Sequence, residues 1–585
     1  MVTNKYITRI ASVIMAAAVI LCLMASLFSD KLQEVYGNNA VTMKYESKLF
    51  STDQIMDIDI LMDEDDWNNM LENAISEEYY SCNVVVNGKT FYSVGIRPKG
   101  NTSLSSIAND PDTDRYSFKL EFDHYIEGQT CYGLDKLILN NNYADATNMK
   151  EAIVYDMYQY LGVDASLYNY AKISVNGDYR GVYLALEAVE DSFMLRNYGT
   201  EDGNLYKPES MGIGGGVDGN GFPQMGEMPD GNGFPQKGEM PDGADFPQKG
   251  EMPDGEDFPQ KGEMPDGEDF PQMGEAPNGE AADIKMGIMG GNGGADLNYT
   301  DDDLDSYSTI WDGEITDSDK KDHKRVVEAL KNISEGTDLE TYMDVDNILK
   351  YMAVHTFVVN DDSLSGTMAH NYYLYEYNGK LNILPWDYNL SFGGMSMGGK
   401  MGGQSLGATS VINDAIDTPF SITDFFDALL ENEEYLEQYH GYLNELVEKY
   451  VNGGEFEKTY ERIRSQIDDL VGNDPTAFYS YEEYEEAANM LIEVVQLRAK
   501  SVSGQLAGTI PSTDEGQQQD SSNLIDGSDI DLSVMGSFSG GGGGNEGQGK
   551  DNGFAGTPQP FDAGDVSPIS EEKADLQDSN QDSVK

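Results

Sequence analysis

The spacing of hydrophobic residues divides the chain into a strand-rich part and a helical part. Between residues 43 and 209, short runs alternate apolar and polar positions, as half-buried strands do. The pairs Asn87-Gly88 and Asn176-Gly177 separate such runs and predict tight hairpins. Between residues 297 and 507, apolar residues recur every three or four positions, which predicts amphipathic helices. The pattern therefore predicts an α+β protein with a site between the two parts.

One further hairpin is predicted inside the second part. Residues 372–375 and 380–384 alternate around Asn378-Gly379. Asp361 and Asp362 precede this hairpin and Asp387 follows it, so the hairpin would bring their carboxylates close together. Carboxylates beside an amide suit a hard cation and phosphoryl transfer, although Asp and Asn are also ordinary turn residues.

Two segments lack the apolar content to bury a core. Residues 211–294 contain a twelve-residue repeat rich in Gly, Pro, Met and acidic residues, and residues 508–585 are rich in Gly, Ser, Gln and Asp. Both are predicted to be disordered. The predicted domain boundaries are therefore 1–30, 43–209, 211–294, 297–507 and 508–585, in which the first is a membrane anchor or signal segment.

The charge balance narrows the class of partner. The chain has 585 residues, with 104 Asp and Glu against 37 Lys and Arg, for a formal net charge of −67. Such a chain has no basic surface on which to release phosphate counterions, so it is not expected to bind nucleic acid. It would attract basic polypeptides. No zinc motif occurs, and Cys82 and Cys131 are expected either as two buried thiols or as one disulfide.

The N-terminus carries a candidate membrane segment. Residues 10–28 are mostly apolar and follow Lys5 and Arg9, which predicts one crossing with the rest of the chain outside the cytoplasm. A cleaved signal peptide is the alternative, since Ala25 and Ser26 are small. The expected location is the cell membrane, and the alternatives are a secreted protein or a spore coat.

A basic loop in the first part could bind an anion. Arg97, Lys99, Gly100 and Asn101 lie in the segment Arg-Pro-Lys-Gly-Asn-Thr-Ser between two predicted strands. A glycine loop with cations can present backbone amides and positive charge to phosphates. The alternative is a plain turn with solvated basic residues.

Further candidates complete a nucleotide site. Lys119 lies on a predicted strand, and Glu151 on the following helix could hold it, although both could simply be exposed. Asp362 could accept a proton from an attacking hydroxyl, with Asp361 as the near-equal alternative. Asn371 and Asp387 would hold a divalent metal. His370 is expected to pack beside the site and not to bind the metal.

Taken in order, several segments resemble the CotH family of atypical protein kinases, which is named after a spore-coat protein. The resemblance covers roughly residues 50–505 without the repeats. It is carried by seven segments, at residues 97–102, 118–123, 139–142, 177–184, 203–207, 370–375 and 384–394.

This resemblance implies a divergent bilobal kinase-like fold, with a strand-rich N-lobe and a helical C-lobe. It implies transfer of the γ-phosphate of ATP, with Mg²⁺ or Mn²⁺, to Ser or Thr of envelope or spore-coat proteins, expected to be basic and Ser-rich. By position, Lys119 resembles the phosphate-binding lysine, Glu151 its helix partner, Asp362 the catalytic aspartate and Asp387 the metal ligand. Arg97, Lys99 and Asn101 fall in the loop over the phosphates. The alternatives are a catalytically idle adhesin or scaffold, and transfer of another group such as AMP.

Overall fold

The strands of the first part close into a barrel. The computed structural model describes residues 40–209, 293–366, 368–395, 407–420 and 422–536. Its seven strands are β1 (Met56–Leu61), β2 (Tyr80–Val86), β3 (Lys89–Lys99), β4 (Ser117–Glu121), β5 (Lys136–Asn140), β6 (Tyr168–Val175) and β7 (Asp178–Glu187). They pair in the order β1-β2-β3-β4-β5-β7-β6, and the parallel pairing of β6 with β1 closes the barrel.

The barrel forms where the alternation of the sequence predicts strands. The hairpins around Asn87-Gly88 and Asn176-Gly177 are confirmed, because β2 pairs with β3 and β6 with β7 in antiparallel register across these turns. Both asparagines have positive φ angles of 48° and 53°, which suits a two-residue hairpin turn. The inward-facing residues, such as Ile58, Val84 and Leu120, are fully buried.

A second, three-stranded sheet lies in the order β10-β9-β8. Its strands are β8 (Asn204–Tyr206), β9 (Tyr372–Tyr377) and β10 (Lys380–Pro385). The predicted hairpin at Asn378-Gly379 is confirmed, and Tyr372 lies opposite Pro385 at its open end. This register places the segment before β9 and the segment after β10 side by side at the open end of the hairpin.

Helices surround the two sheets. In the first part they are α1 (Lys44–Lys48), α2 (Glu64–Glu72), α3 (Thr102–Ala108), α4 (Lys150–Leu161) and α5 (Asp191–Tyr198). In the second part they are α6 (Ser308–Asp312), α7 (Lys320–Ser334), α8 (Leu339–Tyr342), α9 (Val345–Val358), α10 (Ala408–Ile412), α11 (Asp427–Leu430), α12 (Glu433–Glu445), α13 (Glu455–Val471), α14 (Tyr481–Leu506) and α15 (Asp514–Gln519). A π-helical segment, Leu446–Val451, follows α12 directly.

The predicted bilobal kinase-like fold is wrong. The strand-rich part is a closed barrel, and its outer face shares one hydrophobic core with the helical part. Tyr170 and Leu184 of the barrel, Ile153 of α4 and Leu349 of α9 all belong to this core. Alternation shows which face of a strand is buried, but it does not show that β1 pairs with β6 across a separation of more than a hundred residues.

The predicted membrane anchor is also corrected. Among the helices of the described ranges, none has both the length and the apolar character that a bilayer crossing needs. The expectation of a single-pass membrane protein therefore does not hold for the structure. The segment on which it rested, residues 10–28, lies outside the described residues, as do residues 210–292 with the repeats.

The last described residues, which end at residue 536, pack against the rest of the protein. Within the segment that the sequence analysis assigned to the tail, the Ser512 carbonyl oxygen accepts a hydrogen bond from the Asp417 amide at 2.8 Å, and the Asn413 Nδ2 donates to the Ile525 carbonyl oxygen at 2.8 Å. Met535 is 1% exposed, and its carbonyl oxygen accepts a hydrogen bond from the Ala146 amide at 3.1 Å.

Cys82 and Cys131 are buried free thiols. Burial raises the pKa of each of these thiols to about 12.

Candidate functional site

Four segments meet beside the second sheet. Lys99 is the last residue of β3, Glu151 lies in the first turn of α4, and Asp387 follows the end of β10. Helix α9 ends at Val358, the capping residue Val359 has a positive φ of 49°, and the chain then turns through Asn360 to Asp362. These side chains come from distant parts of the sequence and are assembled only by the fold.

Lys99 and Glu151 are linked through one asparagine. The Lys99 Nζ lies 3.2 Å from the Asn140 Oδ1, and the Asn140 Nδ2 donates to the Glu151 Oε2 at 2.8 Å. The Lys99 ammonium also lies 5.5 Å from the centre of the Trp386 ring. Asn140, at the end of β5, thus orients both the lysine and the glutamate.

The charges of this group depend on one another. Burial lowers the pKa of Lys99, against the opposing effects of Asp387 and Glu151. Burial and the nearby Asp387 raise the pKa of Glu151 to about 8. Burial also raises the pKa of Asp387, while Lys99 and Lys207 act to lower it. The raised pKa values of Glu151 and Asp387 show that the positive charge around these two carboxylates does not fully compensate them, so an additional cation can be accommodated beside them.

Asp362 is held by two neighbours. His370 Nε2 lies 2.8 Å from the Asp362 Oδ1. The Asn371 Nδ2 donates to the Asp362 backbone oxygen at 2.8 Å and to its Oδ2 at 3.1 Å. Burial would lower the pKa of His370, but the hydrogen bond and charge of Asp362 outweigh it, so the pKa is raised. His370 and Asn371 thus hold the two oxygens of the Asp362 carboxylate in place.

The geometry distinguishes the two adjacent aspartates. The negative charge of Asp362 raises the pKa of Asp387, so Asp362 lies on the Asp387 side of the site. Asp361 is exposed, and its charge instead acts on Asp414, whose pKa burial raises to about 7. Of the two candidates, Asp362 is the one that shares a site with Asp387.

The predicted pair of Lys119 and Glu151 does not form. The Lys119 Nζ contacts the Glu190 Oε1 at 2.6 Å, and Lys136 contacts the other oxygen of Glu190. In the β3–β4 register Lys119 lies opposite Arg97, two positions away from Lys99. Lys99, which the sequence assigned to the phosphate loop, is the lysine that lies beside Glu151.

The remaining loop residues lie at the edge of the site. Arg97 is paired with Glu77 and lies 5.5 Å from the Tyr79 ring, yet it is close enough to act on the pKa of Lys99. Gly100 has a φ of 131° and forms the turn after β3, where a side chain would meet the Ser103 hydroxyl. Asn101 is exposed at the start of α3.

Three residues of the site carried no assigned role in the sequence prediction. Lys207 follows β8, faces Asp387, and pairs with Glu209 at 2.5 Å. Burial acts to lower the pKa of Lys207, but Glu209, Tyr373 and Asp387 together raise it. The Asn360 Nδ2 donates to the Asp387 backbone oxygen at 3.4 Å, and its buried Oδ1 has no hydrogen-bond partner within the described ranges. Strand β8 has only three residues, so alternation gave no signal for Lys207.

The donor set suits a magnesium ion that shares its ligands with a phosphate. The described residues contain no cluster of three or more His, Cys, Asp and Glu side chains that could hold a metal on its own. Mg²⁺ usually takes one or two carboxylates and completes its shell with water and substrate phosphates. Asp387, with the free Asn360 oxygen beside it, fits that requirement, and Lys99 and Lys207 provide positive charge for phosphates.

Comparison with known proteins agrees with the segments noted above. The family model described as CotH kinase protein matches residues 96–502, which include Lys99, Glu151, Asp362 and Asp387. No curated protein matches the chain.

Proposed function

The chain belongs to the CotH kinase protein family, and from that premise we propose that it transfers the γ-phosphate of ATP to Ser or Thr hydroxyls of proteins. The observation that carries this proposal is the meeting of Lys99, Glu151, Asp362 and Asp387 at one site. Phosphoryl transfer is catalysed mainly by positioning and by stabilisation of charge, and these residue types supply both.

Each residue has a role that its contacts support. Lys99, oriented by Asn140 and Glu151, binds the phosphates of ATP together with Lys207. Asp362, held by His370 and Asn371, orients the acceptor hydroxyl and takes its proton. Asp387, with Asn360 beside it, holds Mg²⁺ or Mn²⁺, and the bound ion would neutralise charge on the phosphates.

The proposed protein substrate is basic and rich in serine. The net charge of −67 gives the whole molecule a field that attracts positive polypeptides. Asp361 is exposed next to Asp362, where it could contact a basic residue near the acceptor hydroxyl. The same charge disfavours a nucleic-acid substrate.

The test is a labelling assay on the full chain, because residues 509–536 make hydrogen bonds to the helical part and to the Ala146 amide. The protein is incubated with ATP labelled at the γ- or the α-phosphate, Mg²⁺ or Mn²⁺, and a basic Ser-rich protein. The proposal expects label from the γ-phosphate only, lost in Asp387→Ala and in Asp362→Asn. Asp57→Ala, an exposed aspartate of β1, is the matched control and should keep full activity.

Two results would refute the proposal. Label from the α-phosphate would identify a nucleotidyl transferase. Absence of label from either position, with intact folding, would favour a scaffold that retains the fold without catalysis.

A further inference from the structure

Helix α9 carries a buried histidine between the two loops that provide the acidic residues of the site. His355 is 2% exposed, and it lies one turn before the end of α9. Its Nδ1 is 3.1 Å from the Tyr388 hydroxyl, and its Nε2 is 2.8 Å from the Ser365 Oγ and 3.1 Å from the Ser363 Oγ. The imidazole therefore contacts both loops at once.

On one side, these contacts fix the turn that contains Asp362. The hydroxyls of Ser363 and Ser365 donate to the Asn360 carbonyl oxygen at 2.8 and 3.0 Å. They thereby close the chain from residue 360 to 365 into a small ring around Asp361 and Asp362. His355 binds the two hydroxyls from beneath this ring.

On the other side, the contact fixes the residue after Asp387. Tyr388 is fully buried, and its hydroxyl is also 2.6 Å from the Tyr158 hydroxyl of α4. Helix α4 bears Glu151 in its first turn. The chain of contacts thus runs from α4 through Tyr388 and His355 to the Asp362 turn.

We propose that His355 is a positioning residue that sets the distance between Asp362 and Asp387 by holding the Ser363–Ser365 turn and Tyr388 together. It does not reach the reacting atoms. Burial lowers the pKa of His355 to about 3, so the ring is neutral at physiological pH, and one nitrogen donates while the other accepts. This inference rests on the proposed function for its kinetic consequence, but its structural consequence can be measured without turnover.

The experiment compares His355→Phe with His323→Phe as the matched control. Like His355, His323 is stacked and hydrogen-bonded, but its side chain is 15% exposed and its contacts are to Glu314, Ser318 and Trp311. His355→Phe should lower kcat by roughly 10- to 100-fold and weaken Mn²⁺ binding in the presence of ATP by about 10-fold, as loss of an outer partner of a metal site does. His323→Phe should lower the thermal stability by a similar amount but should change neither kcat nor Mn²⁺ binding.

Ser365→Ala and Tyr388→Phe remove single hydroxyls from each side, and they provide the same test if His355→Phe fails to fold. Hydrogen exchange should accelerate in residues 360–366 and 386–389 in all three variants. The proposal would be overturned if all three variants kept the kcat, the Mn²⁺ affinity and the hydrogen-exchange protection of the two loops that the wild type has. If the wild type transfers no phosphate, the proposed function fails, and Mn²⁺ binding with hydrogen exchange still decides whether His355 positions the loops.

Discussion

Exchange of Lys99 and Lys119 for methionine separates the lysine of the site from the lysine that the sequence assigned to it. Methionine keeps the length of the side chain and removes the charge. Lys99 contacts Asn140, which also binds Glu151, whereas Lys119 pairs with Glu190. The two variants should therefore affect different properties of the protein.

Loss of Lys99 should mainly reduce activity. A unit charge about 4 Å from a phosphate is worth about 4 kcal/mol at an effective dielectric constant near 20, which sets an upper bound near 1000-fold. We expect Lys99→Met to lower kcat/KM by roughly 100- to 1000-fold. Its stability should change little, because burial already disfavours the charged form of Lys99.

Loss of Lys119 should mainly reduce stability. Its ion pair with Glu190 is largely buried, with the two side chains 17% and 15% exposed, but Glu190 keeps Lys136 as a partner. The free energy of unfolding should therefore fall by only about 1–2 kcal/mol, between the values for exposed and fully buried pairs.

The assay measures kcat/KM for ATP by γ-phosphate transfer and the free energy of unfolding by urea denaturation, on the same preparations. Activity of Lys119→Met should stay within about threefold of wild type, since the Lys119 ammonium pairs with Glu190. A fully active Lys99→Met together with an inactive Lys119→Met would refute the assignment of Lys99.

Three further predictions concern residues around the site. Glu209→Gln should lower the KM for ATP by about threefold in steady-state kinetics, because it frees the Lys207 ammonium from its carboxylate partner; an unchanged KM would show that Lys207 does not meet the nucleotide. His355 has a pKa lowered by burial from 6.5 to about 3, so its contribution to stability is present above pH 6.5 and is lost as the pH falls toward 3. The free energy of unfolding in urea should therefore fall by about 2 kcal/mol more for the wild type than for His355→Phe when the pH is lowered from 7.5 to 5. A difference between the two proteins that does not change with pH would contradict this. Met535→Ala should cost roughly 2–3 kcal/mol of unfolding free energy, because this side chain is 1% exposed; a loss below 0.5 kcal/mol would mean that residues 531–536 are dispensable for the fold.

The sequence predicted the local structure near the site correctly where the signal was local. Asn378-Gly379 fixed the β9–β10 hairpin, and the hairpin register brings Asp362 and Asp387 to the same end. The family segments were also informative, because the match to the CotH model covers residues 96–502. What these signals could not provide was the partner of each charged side chain.

The choice between Lys99 and Lys119 shows why. The sequence analysis placed Lys99 in a loop between two strands and Lys119 on a strand before the helix that bears Glu151, so it matched Lys119 with Glu151. The β3–β4 register places Lys119 opposite Arg97, and Glu190 reaches Lys119 from the segment just after β7. Such a pairing depends on how the strands are ordered around the barrel, which alternation does not record.

The sequence by itself determined the strands, the tight hairpins, the amphipathic helices, the acidic charge and the family. Each of these depends on residues close together in the chain, or on the order of short segments. The tertiary structure alone decided that the sheet closes into a barrel and that Lys99 and Lys207 lie near Asp387. It also decided that His355 joins the Asp362 and Asp387 loops, since these contacts arise from packing between distant segments, each of which has many alternatives of equal local energy.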